Sequence, residues 1–146
     1  FNNPSNTNRS GPSFNGNIAE MDRIYANGDG LKRYSYQYDA MGRLLSGIYS
    51  EPNATIPENN YYNESLTYDL NGNVKTLRRN RNAQYIGAQL MDDLAYTYTG
   101  NRLDTVTEIT GNYFGYQETS GNVISYDDNS NMTSQIDKGL LEIKYN

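Results

Sequence analysis

The sequence predicts an all-β fold, a meander of antiparallel β-hairpins that recurs about every 30 residues. Three observations carry this expectation. Four segments align on a tyrosine, at Tyr38, Tyr68, Tyr98 and Tyr126, spaced 30, 30 and 28 residues apart. Aromatic or aliphatic residues precede each of them with a period of two, the spacing that places side chains on one face of a strand. Asp, Asn and Gly follow each of them. These residues tolerate positive φ and hydrogen-bond their own backbone, so the chain reverses there. No segment carries a helical stripe with caps. The best helical candidate, Asn82 to Asp93, is short and weak.

The elements follow in order. Residues 1–14 read as a polar extension, and residues 15–146 as the repeat domain. Asn15-Gly16-Asn17-Ile18 matches a turn and the strand leaving it, half a copy. The first full copy occupies about 34–50 and contains Tyr34-Ser-Tyr36-Gln-Tyr38-Asp39-Ala-Met-Gly42-Arg43-Leu44. The second, about 64–79, contains Leu66-Thr-Tyr68-Asp69-Leu-Asn71-Gly72-Asn73-Val74. The third, about 92–109, contains Leu94-Ala-Tyr96-Thr-Tyr98-Thr-Gly100-Asn101-Arg102-Leu103. The fourth, about 122–136, contains Ile124-Ser-Tyr126-Asp127-Asp128-Asn129-Ser130-Asn131-Met132. A partial copy occupies 140–146. Asn27-Gly28-Asp29-Gly30, Thr110-Gly111-Asn112 and Asp137-Lys138-Gly139 supply turns at the opposite edge. About ten short strands result, with Tyr34, Tyr36, Tyr38, Tyr68, Tyr96, Tyr98, Ile124 and Tyr126 on the core side. Glu51 to Tyr62, with Pro52 and Pro57, reads as an exposed loop. Asn80 to Asp93 reads as a second loop, entered through Arg78-Arg79-Asn80-Arg81.

Composition supports a tyrosine-built core. Leu, Ile, Val and Phe number only 26 of 146 residues, whereas Tyr numbers 15. Tyrosine buries a large ring while keeping its hydroxyl wet, so it replaces part of an aliphatic core. The 21 Asn and 13 Gly residues suit many tight turns. Cys and His are both absent, which removes disulfides, thiolate chemistry and the commonest general base. The net charge of −5 argues against nucleic acid, whose phosphates need a basic face. No stretch is apolar enough to insert in a membrane as a helix or to form a signal core. The chain starts at Phe1 and ends inside the alternating run Leu140 to Asn146, so it reads as a piece of something longer.

Tyr38-Asp39-x-x-Gly42-Arg43-Leu44 resembles the YD-repeat signature of Rhs proteins, teneurins and the shell-forming subunits of insecticidal toxin complexes. Tyr68, Asp69 and Gly72, then Tyr98, Gly100 and Arg102, then Tyr126 and Asp127 are similar to degenerate copies of it. The third copy lacks the Asp and is one residue shorter, and the fourth has Ser130 where Gly is usual. The resemblance implies a strip of hairpins spiralling into a hollow shell, secreted or on a bacterial surface, which in toxin members is associated with a C-terminal toxin domain. The Asp-Pro-x-Gly-Arg self-cleavage pattern of that family is absent here. What carries over is therefore a non-catalytic scaffold, whose partner is the rest of the same polypeptide.

Other chemistry is weighed residue by residue. Asp69-x-Asn71-x-Asn73 and Asp127-x-Asn129-x-Asn131 resemble half of a calcium loop, but the position that needs a bidentate Glu is Asn80 or Lys138. The same residues are what hairpin turns require, and no metal or other cofactor is expected. Asp92-Asp93 and Asp127-Asp128 are adjacent pairs that point to opposite faces of a strand and read as solvated, so no glycosidase pair forms and no enzyme is expected. Arg78-Arg79-x-Arg81 reads as a solvated charge cluster. The triplets at Asn8, Asn53, Asn63 and Asn131 match glycosylation sequons by chance at this Asn content. Tyr61, Tyr62, Tyr113 and Tyr116 lie nearer loops and are the candidates for stacking on a sugar. A carbohydrate- or protein-binding module at the cell surface is thus the alternative function. The alternating run Leu140 to Asn146 is expected to leave an open strand, which in an isolated fragment either frays or pairs with a second copy.

Overall fold

The computed structural model describes residue 5 and residues 10–26, 28–112, 114–116 and 120–145. It is all-β, with no α-helix among the described residues. Seven strands form one antiparallel meander in chain order: β1 (Glu20–Ile24), β2 (Leu31–Tyr38), β3 (Leu44–Ser50), β4 (Glu64–Tyr68), β5 (Val74–Ala83), β6 (Gly87–Thr99) and β7 (Arg102–Glu108). Two further strands, β8 (Ser125–Tyr126) and β9 (Met132–Ser134), pair with each other and precede one 3₁₀ turn, Ile136–Lys138. Each of the four repeats contributes one of the hairpins β2–β3, β4–β5, β6–β7 and β8–β9.

The signature turns share one construction. In the first copy the Asp39 carboxylate accepts the backbone N–H groups of Met41 and Arg43, both at 2.9 Å, and the Arg43 Nε at 2.5 Å. In the second, Asp69 accepts Asn73 N at 2.8 Å and Asn73 Nδ2 at 2.9 Å. In the fourth, Asp127 accepts Asn129 N, Asn131 N and Asn131 Nδ2 at 2.8–2.9 Å. One carboxylate thus satisfies turn donors that would otherwise face water, the local bonding that makes Asp a turn residue. Each turn also needs one residue at positive φ, and Gly42 (80°), Gly72 (91°) and Ser130 (65°) occupy equivalent places. The Ser departure in the fourth copy therefore leaves the backbone path unchanged. The third copy, lacking the Asp, closes instead with a two-residue turn between the paired Thr99 and Arg102.

The chain forms two compact units, Phe1–Leu66 with Arg79–Leu90, and Thr67–Arg78 with Met91–Asn146. The second has an apolar centre of Leu94, Val106 and Tyr116, against which Leu77, Tyr96 and Leu103 pack. In the first, Ala19, Ser35, Tyr49, Ser50 and Ala83 are buried, and the half-buried Tyr34 ring packs against Tyr49. The core-side tyrosines are half-buried, and Ile124 is buried.

Several expectations need correction. Asn82 to Asp93 is neither helix nor loop: β5 runs to Ala83, β6 starts at Gly87, and a tight turn with Ile86 N bonded to Ala83 O joins them. Arg78, Arg79 and Arg81 therefore lie on a strand. Arg78 pairs with Asp93 at 3.3 Å, while Arg81 donates to Gln89 at 2.8 Å. Asp92 is not solvated but fully buried. In the final run Leu140 bridges to Gln135 and Ile143 N donates to Thr133 O at 2.8 Å, while Leu140, Leu141 and Tyr145 remain exposed.

Candidate functional site

The signature tyrosines perform a repeated structural task. Tyr38 Oη donates to Ile18 O at 3.0 Å, Tyr98 Oη to Val74 O at 2.9 Å, Tyr126 Oη to Leu103 O at 2.7 Å and Tyr145 Oη to Met132 O at 2.8 Å. Ile18, Val74, Leu103 and Met132 occupy one place in the repeat, just beyond the preceding turn. Each tyrosine thus reaches back to the strand leaving the previous copy. The half copy at 15–18 takes part as the acceptor for Tyr38, with Gly16 at φ 91° as in the full turns. Arg102 lies over the ring of Tyr126, its Cζ 4.8 Å from the centroid. Signature residues Asp39, Gly42, Arg43, Asp69, Gly72, Asp127 and Gly100 (φ 63°) all shape turns. Leu44 opens β3, opposite Tyr38, and Tyr68 ends β4.

The concavity with the most chemistry lies in the first unit. A cleft of about 440 Å³ is lined by Met21, Arg23, Tyr25, Asp29, Lys32, Tyr34, Tyr49, Glu51, Tyr62 and Asn82. Strand register builds its floor, because Tyr34 on β2 faces Tyr49 on β3. Their rings meet edge-on at 5.3 Å, and Tyr49 meets Tyr62 edge-on at 5.2 Å. Tyr34 also stacks on Tyr36 at 5.9 Å. The loop after β3 brings Tyr62 into place, held where Asn63 Oδ1 accepts Tyr49 N at 2.8 Å. Tyr62 itself sits at φ 53°, a conformation bulky residues avoid at a cost of about 1–3 kcal/mol. A more open concavity of about 710 Å³ lies along residues 11–17 and the end of β2.

Polar groups in the cleft are ordered. Lys32 Nζ lies 3.1 Å from Glu51 and 4.0 Å from Asp29, and Tyr49 Oη donates to Glu51 at 2.7 Å. Burial, and then the Glu51 bond, push the Tyr49 phenol well above its ordinary range. Burial likewise raises Tyr34, with the Glu64 charge adding to it. For Glu51, burial acts upward, but the bonds from Tyr49 and Lys32 outweigh it and hold the carboxyl below its usual range. At neutral pH the cleft therefore presents protonated phenols and an ionised carboxylate. Arg23 stands over the Tyr25 ring, Cζ 4.2 Å from the centroid, with no ion pair to a carboxylate among the described residues.

Of the four loop tyrosines, Tyr62 lines the cleft and is 45% exposed. Tyr61 meets it edge-on at 6.3 Å, outside the lining. Tyr116 has no free face: it is buried against Leu94 and Val106, with Lys138 Nζ 3.8 Å from its ring centroid. Tyr113 lies outside the described residues. Sequence reasoning missed Arg23, Tyr25, Tyr34 and Tyr49 as one cluster. Their convergence depends on the pairing of β1, β2 and β3, and the only sequence signal was the density of tyrosine itself.

No group of three or more Asp and Glu residues that could hold a metal ion occurs among the described residues. No family model, no curated protein and no solved structure matches the chain.

Proposed function

We propose that the chain is a non-catalytic scaffold segment of a larger YD-repeat protein, secreted or displayed on a bacterial surface. The observation that carries this reading is the recurring bond from a signature tyrosine to the strand leaving the preceding copy. A copy built this way is incomplete without its neighbour, so stability resides in the interfaces between copies, as in other repeat architectures. The turn carboxylates are occupied by their own turns, which suits a structural role for them. The reading is tested on the coding sequence to either side of this segment. Further Tyr-Asp-x-x-Gly copies at about 30-residue spacing are expected, and their absence on both sides would overturn it.

A second reading, a glycan- or protein-binding module, is favoured by one observation: the tyrosine-lined cleft, with its strained Tyr62. A glycan array probed with the chain tests it. Binding abolished by Tyr62→Ala supports the module, and silence across the array supports the pure scaffold.

A further inference from the structure

We infer that the cleft between β1, β2, β3 and the loop bearing Tyr62 recognises a carboxylate-bearing sugar, a pyranose ring with one acidic substituent. The inference rests on the module reading above and gives it a ligand class. A pyranose has an apolar C–H face and a rim of hydroxyls. Tyr25 and Tyr62, each exposed by about two-fifths, offer ring surface to the first. Phenols, the Asn82 amide and the carboxylates of Asp29 and Glu51 offer donors and acceptors to the second. The volume, about 440 Å³, lies in the range of small-ligand sites.

Charge selects the acidic sugar. Glu51 and Asp29 already face Lys32. Arg23 lies over the Tyr25 ring and opposite Lys32 on β2, with no carboxylate paired to it among the described residues, so its planar fork is the cation left to a ligand. A guanidinium takes a carboxylate with two parallel bonds, a geometry that a neutral hydroxymethyl group cannot reproduce.

The test uses the full chain and paired probes, glucuronic acid and glucose, followed by amide chemical shifts. Glucuronic acid is expected to bind about tenfold tighter, with shifts centred on Arg23, Tyr25 and Tyr62. Arg23→Gln should bring the two sugars within about twofold of each other. Arg23→Lys, which keeps the charge but not the fork, should lose most of the preference. Arg78→Gln, which is not among the residues lining the cleft, should keep it. Equal affinity of the unmodified chain for both sugars would overturn the acidic-sugar inference and leave the module reading standing. A preference lost equally in Arg78→Gln would overturn it as a general charge effect. Shifts with neither sugar would overturn the acidic-sugar inference alone, since the module reading is decided on the glycan array.

Discussion

Tyr98 and Val74 are joined by one hydrogen bond, from the phenol of the first to the backbone carbonyl of the second at 2.9 Å. Val74 opens the strand that leaves the second turn, and Tyr98 lies near the end of the strand that enters the third. The equivalent bonds from Tyr38, Tyr126 and Tyr145 make this a rule of the repeat. A tyrosine is required because the ring fills the face of the sheet while the hydroxyl spans to a main-chain carbonyl. Phenylalanine would supply only the first.

That distinction gives the first prediction. Tyr98→Phe and Tyr126→Phe keep the ring and remove a partly buried bond. Each should lower stability by about 1 kcal/mol, the usual net worth of such a bond. Tyr145→Phe, whose bond is solvent-exposed, should cost less than about half of that. Urea unfolding with unchanged m-value reads the difference. No measurable cost at any of the three sites would show that the ring alone matters.

The turn backbones give the second. Gly42 has φ 80°, and a Cβ there would meet Asn17 Nδ2 at 3.3 Å. Gly42→Val should cost more than about 1 kcal/mol, from strain and crowding together. Ser130 has the same left-handed backbone with a side chain present. Ser130→Gly relieves that strain while loosening the unfolded chain, so it should stabilise by up to about 1 kcal/mol. Melting shifts of opposite sign are expected, and a destabilising Ser130→Gly would refute the equivalence of the two turns.

Asp92 gives the third. Its carboxylate is fully buried, and Oδ1 accepts Tyr116 N at 2.6 Å. A Cβ added at Gly115 would overlap this carboxylate. Asp92→Ala leaves a buried N–H without its acceptor and should cost about 2–3 kcal/mol. Gly115→Ala should also destabilise, by forcing the carboxylate aside. Asp128→Ala, on an exposed turn, should cost less than about 0.5 kcal/mol and serves as the control. Thermal unfolding of the three variants decides.

The hairpins and their turns were legible in the sequence because each copy states them twice, as period-two aromatics and as Asp, Asn and Gly in register. The stretch from Asn82 to Asp93 was not. Its strands carry Arg, Asn, Gln and Asp at positions half-covered on both faces, so the period-two contrast disappears. Asp92 read as solvated because a sequence shows no partner for a carboxylate 24 residues from the amide it holds. Tyr116 read as a loop aromatic for the same reason, since Leu94 and Val106 reach it only through the β6–β7 pairing. The cleft stayed hidden because no two adjacent copies announce it.

The last prediction concerns pH. The carboxyls of Asp39, Asp69 and Asp127 are all held below their ordinary range. For Asp39 the leading cause is the Arg43 backbone N–H, and for Asp69 and Asp127 it is the side-chain amide of Asn73 or Asn131. A carboxyl lowered by folding stabilises the fold above its unfolded pKa of about 3.9, and that stability is lost as pH falls through the folded value. Tyr34, Tyr36 and Tyr98 are shifted the other way, above the ordinary phenol value, chiefly by burial. Below the unfolded phenol pKa of about 10 their contribution is complete, and it falls away as the unfolded chain ionises more readily than the folded one. The melting temperature should therefore form a plateau between about pH 5 and 9, with losses on both sides. Asp127→Asn should flatten the acid limb, because an amide has no proton to gain there, and leave the alkaline limb unchanged. Tyr98→Phe should flatten only the alkaline limb. An acid limb of unaltered steepness in Asp127→Asn would mean that this turn carboxylate does not drive the loss, and the argument from the turns would fall with it.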